Sequence, residues 1–149
     1  MTVKAPLRGS ETLLKKVKER LGLKWLPLLI AIDGADGVGK SSLASWLAWQ
    51  LGAPAVHLDL YVVRNSNPLR WRTDELWRVV NARLADHAAP LLVEGIMAVD
   101  ALAAIDRAPD FLVYLDGEGG YGLSGRLAAY RARRQPEQRA DVRMPGFAE

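Results

Sequence analysis

The residues with the clearest chemical meaning are residues 34–41, which read G-A-D-G-V-G-K-S and fit the phosphate-binding pattern G-x-x-x-x-G-K-[ST], the Walker A motif. Glycines in such a loop let the backbone turn successive N–H groups toward an anion. Lys40 adds a mobile positive charge for the β- and γ-phosphates, and the hydroxyl of Ser41 is placed to ligate Mg²⁺. The spacing therefore predicts a site for ATP and Mg²⁺.

The residues on either side of this motif are those that a phosphate-binding loop requires. Residues 26–33 form an apolar run typical of a strand that is buried on both faces. Leu43, Leu47 and Leu51 recur every four residues and stop before Gly52, which predicts a helix. The positive end of that helix dipole would add to the potential at the loop. The expected nucleotide-binding residues of the loop are Gly34, Ala35, Asp36, Gly37, Val38, Gly39, Lys40, Ser41 and Ser42. Ser42 is equally well explained as a plain helix-start residue.

Strand and helix patterns alternate along the rest of the chain. Helices are predicted at residues 10–21 with Ser10 as the cap, at 73–87, at 98–105 and at 123–134; strands are predicted at 55–60, 90–95, 110–115 and 140–144. This alternation predicts an α/β fold in three layers, with a parallel sheet of about five strands flanked by helices. The motif at residues 34–41 resembles that of the P-loop NTPases, which implies the P-loop NTPase fold. We expect a single domain over residues 1–149, with an N-terminal helix in residues 1–24.

Acidic residues stand at the carboxyl ends of the first four predicted strands. They are Asp33, Asp59, Glu94 and Asp116. Because the carboxyl ends of parallel strands meet at one edge of a sheet, these side chains are expected to converge near the phosphate-binding loop. Asp33 adjoins the loop, and we expect it to bind nearby backbone N–H groups. His57 is expected to be a structural histidine, and Trp46 and Trp49 are expected to pack under the first helix.

Three segments together resemble the uridine kinase-like branch of the P-loop kinases. They are I-A-I-D-G-A-D-G-V-G-K-S-S-L-A at residues 30–44, H-L-D-L-Y at 57–61 and L-L-V-E-G-I at 91–96. The resemblance implies ATP-dependent phosphoryl transfer to a hydroxyl of a small metabolite, such as a nucleoside. The family's strand-two motif usually carries a second acidic residue, and Leu60 stands there in this chain.

The resemblance also implies roles for individual residues. Lys40, Asp59 and Glu94 would be the catalytic residues, with Asp59 accepting or orienting the proton of the acceptor hydroxyl. Ser41 and Glu94 would hold the metal ion. The acceptor pocket would come mainly from residues 61–72, where the three arginines Arg64, Arg70 and Arg72 either hold an anionic acceptor or are simply exposed.

The last predicted helix carries arginines that can be interpreted in two ways. Arg131 and Arg134 are three residues apart, share a helix face and follow five glycines within residues 117–125. Kinase lids bring such arginines over the phosphates and exclude water, which makes residues 117–139 a candidate lid with Arg131 and Arg134 binding nucleotide. The alternative is a solvated basic face.

Composition restricts the remaining function classes. The chain has 149 residues, no cysteine, a net charge of +3 and a pI of about 9.4. Its basic residues crowd the first and last predicted helices and are not interleaved with aromatics in the manner of a stacking platform, which argues against nucleic-acid binding. No apolar run approaches the roughly 18 residues of a membrane span, and no secretory signal is visible, so we expect a cytoplasmic protein.

Two alternatives to a kinase stay open, namely a P-loop NTPase that drives a conformational change and a nucleotide-binding regulatory protein without catalysis.

Overall fold

Five parallel strands form the centre of the fold, and the computed structural model describes residues 3–22, 28–85, 89–118 and 124–147. The strands are β1 (Leu29–Gly34), β2 (Ala55–His57), β3 (Leu91–Glu94), β4 (Phe111–Asp116) and β5 (Val142–Pro145). Their order across the sheet is β2-β3-β1-β4-β5, and every neighbouring pair is parallel. The predicted parallel sheet of about five strands is confirmed.

Helices cover both faces of this sheet. They are α1 (Ser10–Leu21), α2 (Lys40–Leu51), α3 (Thr73–Ala85), α4 (Ala98–Ala103), α5 (Ser124–Arg134) and α6 (Pro136–Arg139). Because successive side chains of a strand point to opposite faces, β1 contributes Ile30 and Ile32 to one core and Leu29 and Ala31 to the other. The first core also contains the apolar stripes of α1 and α2, and the second contains residues of α3, α4 and α5. This arrangement confirms the predicted three-layer α/β architecture.

Several predicted boundaries differ from the structure. Ser10 is not the cap of α1 but its first residue; Gly9 is the cap, and the Ser10 Oγ donates a hydrogen bond to the Leu7 carbonyl at 2.7 Å. Strand β2 ends at His57, three residues earlier than predicted, and residues Leu58–Tyr61 form a 3₁₀ helix. Asp59 therefore lies on a short helical turn beyond the strand and not on the strand itself.

Other predicted ends lie close to the observed ones. Helix α3 is described as far as Ala85, and the predicted end near His87 lies outside the described residues. Helix α4 ends at Ala103, two residues before the predicted end. Residues 119–123 of the candidate lid also lie outside the described residues. None of the helices in the described part of the chain is long and apolar enough to cross a membrane.

The two tryptophans of α2 have different environments. Trp46 is buried in the core shared with α1, and its Nε1 donates a hydrogen bond to the carbonyl of Val3 at 3.3 Å. The expectation that Trp49 packs in the same way is wrong, because 69% of its surface is exposed. Trp49 follows Trp46 by three residues, yet it lies outside the buried stripe of the helix.

Candidate nucleotide-binding site

The phosphate-binding loop connects the carboxyl end of β1 to the first turn of α2, as the motif predicts. Gly39 precedes the helix as its cap with φ 106°, a left-handed conformation that favours glycine. A Cβ atom at this position would stand 3.0 Å from the ring of Phe147. The loop therefore needs glycine here for both its backbone conformation and its packing.

Lys40 is folded back across the loop. Its side chain is buried, and its Nζ donates a hydrogen bond to the carbonyl of Ala35 at 2.5 Å. Burial lowers the pKa of Lys40, while the negative charges of Glu94 and Asp33 act in the opposite direction. The ammonium group thus stands inside the loop among acidic neighbours, where an incoming phosphate would supply a stronger partner than the carbonyl.

Glu94, the last residue of β3, is a buried carboxylate held by two neighbours. Only 3% of its surface is exposed. Its Oε1 accepts a hydrogen bond from the Ser41 hydroxyl at 2.9 Å and lies 2.8 Å from Nδ1 of His57. These contacts offset the cost of removing the carboxylate from water.

Ser41 and Glu94, the two residues expected to hold metal, therefore meet in the structure. Mg²⁺ in nucleotide sites takes only one or two oxygens from protein and the remainder from water and phosphates. A hydroxyl and a carboxylate at this distance fit that donor set. No group of three or more histidine or acidic residues able to hold a metal ion occurs within residues 3–22, 28–85, 89–118 and 124–147.

His57 is hydrogen-bonded, as expected of a structural histidine, and its partner is Glu94, a residue of this site. Strands β2 and β3 are neighbours, and their register pairs His57 directly with Glu94. A single sequence shows that both residues lie at strand ends, but it does not show that these two strands are adjacent. The signal available in the sequence was the position of a histidine at the same sheet edge as four carboxylates.

One cavity of about 320 Å³ contains most of the predicted site. Its lining residues are Asp36, Gly37, Gly39, Lys40, Ser41, Ser42, Asp59, Glu94, Gly95, Ile96 and Phe147. The three residues expected to be catalytic, Lys40, Asp59 and Glu94, thus border one space although they come from three separate segments.

Phe147 is a lining residue that the sequence did not indicate. It follows β5, and its N–H donates a hydrogen bond to the carbonyl of Val38 at 2.9 Å. The preceding Gly146 donates to the carbonyl of Asp116 at 2.8 Å. A Cβ atom on Gly146 would stand 2.6 Å from the Val38 oxygen, so only glycine permits this close approach. The segment after β5 is therefore attached to the phosphate-binding loop.

Arg131 and Arg134 do not line this cavity. The Nε of Arg131 donates a hydrogen bond to the Tyr114 hydroxyl at 2.9 Å and lies 3.4 Å from the carboxylate of Glu137. The Nε of Arg134 donates to Asp100 on α4 at 2.6 Å. In this conformation both arginines bind neighbouring helices and strands of their own chain, so the structure does not bring them to the phosphate-binding loop.

Asp33 lies beneath the loop and binds backbone N–H groups, as expected. Its Oδ1 accepts hydrogen bonds from the N–H of Gly34 at 2.8 Å and from that of Ala98 at 3.4 Å. Its Oδ2 accepts a hydrogen bond from the hydroxyl of Tyr130. Burial raises the pKa of Asp33 from 3.8 to about 6, although these donors and Lys40 act to lower it. Asp33 supports the loop from below and does not line the cavity.

Comparison with known proteins identifies the class of fold. The chain superposes on a structure described as a possible uridine kinase from Bacillus stearothermophilus with a TM-score of 0.70. The match covers 92% of this chain and 97% of that one at 19% sequence identity. No protein-family model matches the chain, and no curated protein matches it significantly. The resemblance to P-loop kinases is confirmed at the level of the fold.

Proposed function

We propose that this protein is an ATP-dependent kinase that transfers a phosphoryl group to a hydroxyl of a small metabolite, with a nucleoside as the leading class of acceptor. The observation that carries the proposal is the single cavity bordered by Lys40, Ser41, Glu94 and Asp59. Phosphoryl transfer requires positive charge at the phosphates, a metal ion and a group that receives the acceptor's proton. All three requirements have candidate residues around one space.

Each residue has a role that follows from its position. The loop N–H groups and the Nζ of Lys40 would bind the phosphates and neutralise charge. The hydroxyl of Ser41 and the carboxylate of Glu94 would hold Mg²⁺, which supplies further positive charge to the phosphate oxygens when it is bound. Asp59 would orient the acceptor hydroxyl and take its proton as the new P–O bond forms. The γ-phosphoryl group then leaves ADP and joins the acceptor oxygen.

The choice of a nucleoside rests on the structural match to a possible uridine kinase. Residues 61–72 follow the 3₁₀ helix that carries Asp59, so they are the segment we expect to contact the acceptor. Arg64, Arg70 and Arg72 are exposed there and suit an acceptor that carries a phosphate or carboxylate. We also retain the lid hypothesis, in which Arg131 and Arg134 leave their present partners when nucleotide binds.

A second candidate is a nucleotide-binding regulatory protein without kinase activity. The observation that favours it is Leu60, which is 65% exposed at the position where the resembled family carries a second carboxylate. An exposed leucine beside Asp59 removes one acidic group from the acceptor side of the cavity. It would also suit contact with another protein.

The experiment that separates these functions is a screen for ADP release from Mg·ATP with nucleosides, vitamins and sugars as acceptors. A kinase releases ADP faster with its acceptor than without it. Lys40→Met should abolish that stimulation, whereas Lys15→Met, which changes an exposed lysine of α1, should leave it intact. ATP binding with no stimulation by any acceptor, combined with nucleotide-dependent binding of a partner, would select the regulatory function.

A further inference from the structure

His57 and Glu94 form a pair of side chains that the proposed chemistry does not yet use. The Nδ1 of His57 lies 2.8 Å from Oε1 of Glu94. The parallel register of β2 and β3 places the two residues opposite each other, and both backbones are held in the sheet. The contact is therefore set by the fold, and the imidazole itself is only partly exposed.

The chemistry of the two groups determines which atom carries the proton. A carboxylate can only accept hydrogen bonds, so Nδ1 of His57 must be protonated to donate to it. Ser41 donates to the same carboxylate oxygen at 2.9 Å. Two donors thus converge on Oε1. Ser41 lines the cavity, whereas His57 reaches the carboxylate from the neighbouring strand β2.

The second oxygen of Glu94 is in a different position. Among the described residues, Oε2 has no hydrogen-bond donor, whereas Oε1 has two. Glu94 itself lines the cavity. Oε1 is occupied by the hydrogen bonds from His57 of β2 and Ser41 of α2. Oε2 is therefore the oxygen of Glu94 that remains available to a ligand in the cavity.

We propose that His57 is a positioning residue whose Nδ1–H holds the Glu94 carboxylate so that Oε2 serves Mg²⁺. The proposal rests on the proposed function, since it assigns the metal to Ser41 and Glu94. Groups that orient a ligating carboxylate typically contribute 10- to 100-fold to metal affinity. A histidine with a merely structural role would instead affect folding without affecting the response to magnesium.

The test compares ATP binding by calorimetry in excess Mg²⁺ with ATP binding in EDTA, and it needs no acceptor. His57→Leu removes the donor. His57→Asn keeps an amide N–H close to the position of Nδ1, whereas His57→Gln places its amide nearer to that of Nε2. The measured quantity is the ratio of the ATP affinity in Mg²⁺ to the ATP affinity in EDTA. We expect this ratio to be on the order of tenfold smaller in His57→Leu and His57→Gln than in wild type. It should stay within about threefold of wild type in His57→Asn, and binding in EDTA should be equal in all of them.

Two controls make the outcome decisive. Glu94→Gln gives the loss expected when the ligating carboxylate itself is removed, and thermal melts show whether each variant is folded. The proposal would be overturned if Mg²⁺ increased the ATP affinity of His57→Leu as much as that of wild type. If the leucine variant does not fold, the same result in His57→Gln would overturn it. An equal loss in His57→Asn and His57→Leu would do the same. A wild-type protein that binds no ATP would overturn the proposed function itself and this inference with it, whereas normal Mg·ATP binding that is unaffected by His57→Leu overturns the inference alone.

Discussion

The hydroxyl of Tyr130 on α5 donates a hydrogen bond to the carboxylate of Asp33 on β1. The same phenol oxygen accepts a hydrogen bond of 3.1 Å from the N–H of Val99, in the first turn of α4. The other oxygen of Asp33 accepts the N–H of Gly34, the first residue of the phosphate-binding loop, at 2.8 Å. Two buried side chains therefore connect the base of the loop to two helices on one face of the sheet.

The burial of Asp33 predicts a pH-dependent contribution to stability. Because burial raises the pKa of Asp33 from 3.8 to about 6, the folded state holds this proton more tightly than the unfolded chain does. The contribution of Asp33 to the free energy of unfolding is greatest below pH 3.8 and falls by about 3 kcal/mol in total as the pH rises through and above about 6. Relative to wild type, Asp33→Asn should therefore gain stability over this pH range.

Urea denaturation of wild type and Asp33→Asn at several pH values between 4 and 7 checks this prediction. The difference between the two proteins cancels the contributions of the other carboxylates. Asp74→Asn, which changes an exposed residue of α3, should follow the wild-type curve. Parallel curves for wild type and Asp33→Asn would show that the folded and unfolded states hold the Asp33 proton equally.

Replacing Lys40 by methionine should weaken binding of phosphates and spare binding of the nucleoside. The variant keeps most of the side chain's length but removes the charge that donates to the Ala35 carbonyl in the ligand-free loop. A lost charge-assisted hydrogen bond of about 2 kcal/mol corresponds to a decrease in ATP affinity of roughly 30-fold. Calorimetry with ATP, ADP and adenosine measures it, and equal affinities of the wild type for all three ligands would contradict a phosphate site.

Replacing Asp59 by asparagine should lower turnover and leave ATP binding largely unchanged. The substitution preserves shape but removes the basicity needed to take a proton from the acceptor. We expect a decrease in turnover on the order of 10²-fold if Asp59 is the general base. Steady-state ADP release with the acceptor found in the screen measures it. If the variant turns over near the wild-type rate, Asp59 is not the general base, and Glu94 becomes the leading candidate for that role.

Truncating Phe147 to alanine should weaken nucleotide binding by loosening the loop. Ring carbons of Phe147 approach Gly39, and the backbone of Phe147 is bonded to Val38. Loss of an aromatic contact of roughly 1 kcal/mol corresponds to an affinity about fivefold lower. Trp49→Ala removes another exposed aromatic residue, which does not line the cavity, and serves as the matched control. Equal ATP affinities in the two variants would show that the contact contributes nothing.

The lid hypothesis predicts a change in hydrogen exchange on nucleotide binding. Arg131 is bonded to Tyr114, and Arg134 is bonded to Asp100, so each must exchange these partners to reach the phosphates. We expect backbone amides of residues 117–139 to exchange more slowly with a non-hydrolysable ATP analogue and Mg²⁺. Amides of α3 should show no change. Unaltered protection across both segments would indicate that the arginines form a solvated basic face.

The parts of the site that the sequence predicts are those carried by local patterns. The loop from Gly34 to Ser41 is a contiguous motif, and the placement of Asp59 and Glu94 follows from the rule that ligands meet the carboxyl ends of parallel strands. The pairing of His57 with Glu94 depends on which strands are neighbours, and strand order is not written in local residue patterns. The predicted strand β2 is too long because the apolar Leu58 and Leu60 continue the alternating pattern of a strand. In the structure, the backbone of these residues instead forms a 3₁₀ helix.

The attachment of Phe147 to Val38 has a consequence for how the protein is made. The two residues are separated by about 110 positions, and contacts at such separations form late because a long loop must first be closed. A ribosome finishes the Walker A residues while strand β5 has not yet been synthesised. The growing chain therefore lacks the ring of Phe147 that packs against Gly39 and the N–H that bonds Val38, and we expect it to gain full affinity for nucleotide only after β5 docks beside β4. The time at which a fluorescent ATP analogue first binds to the chain during synthesis would then mark the last step of folding.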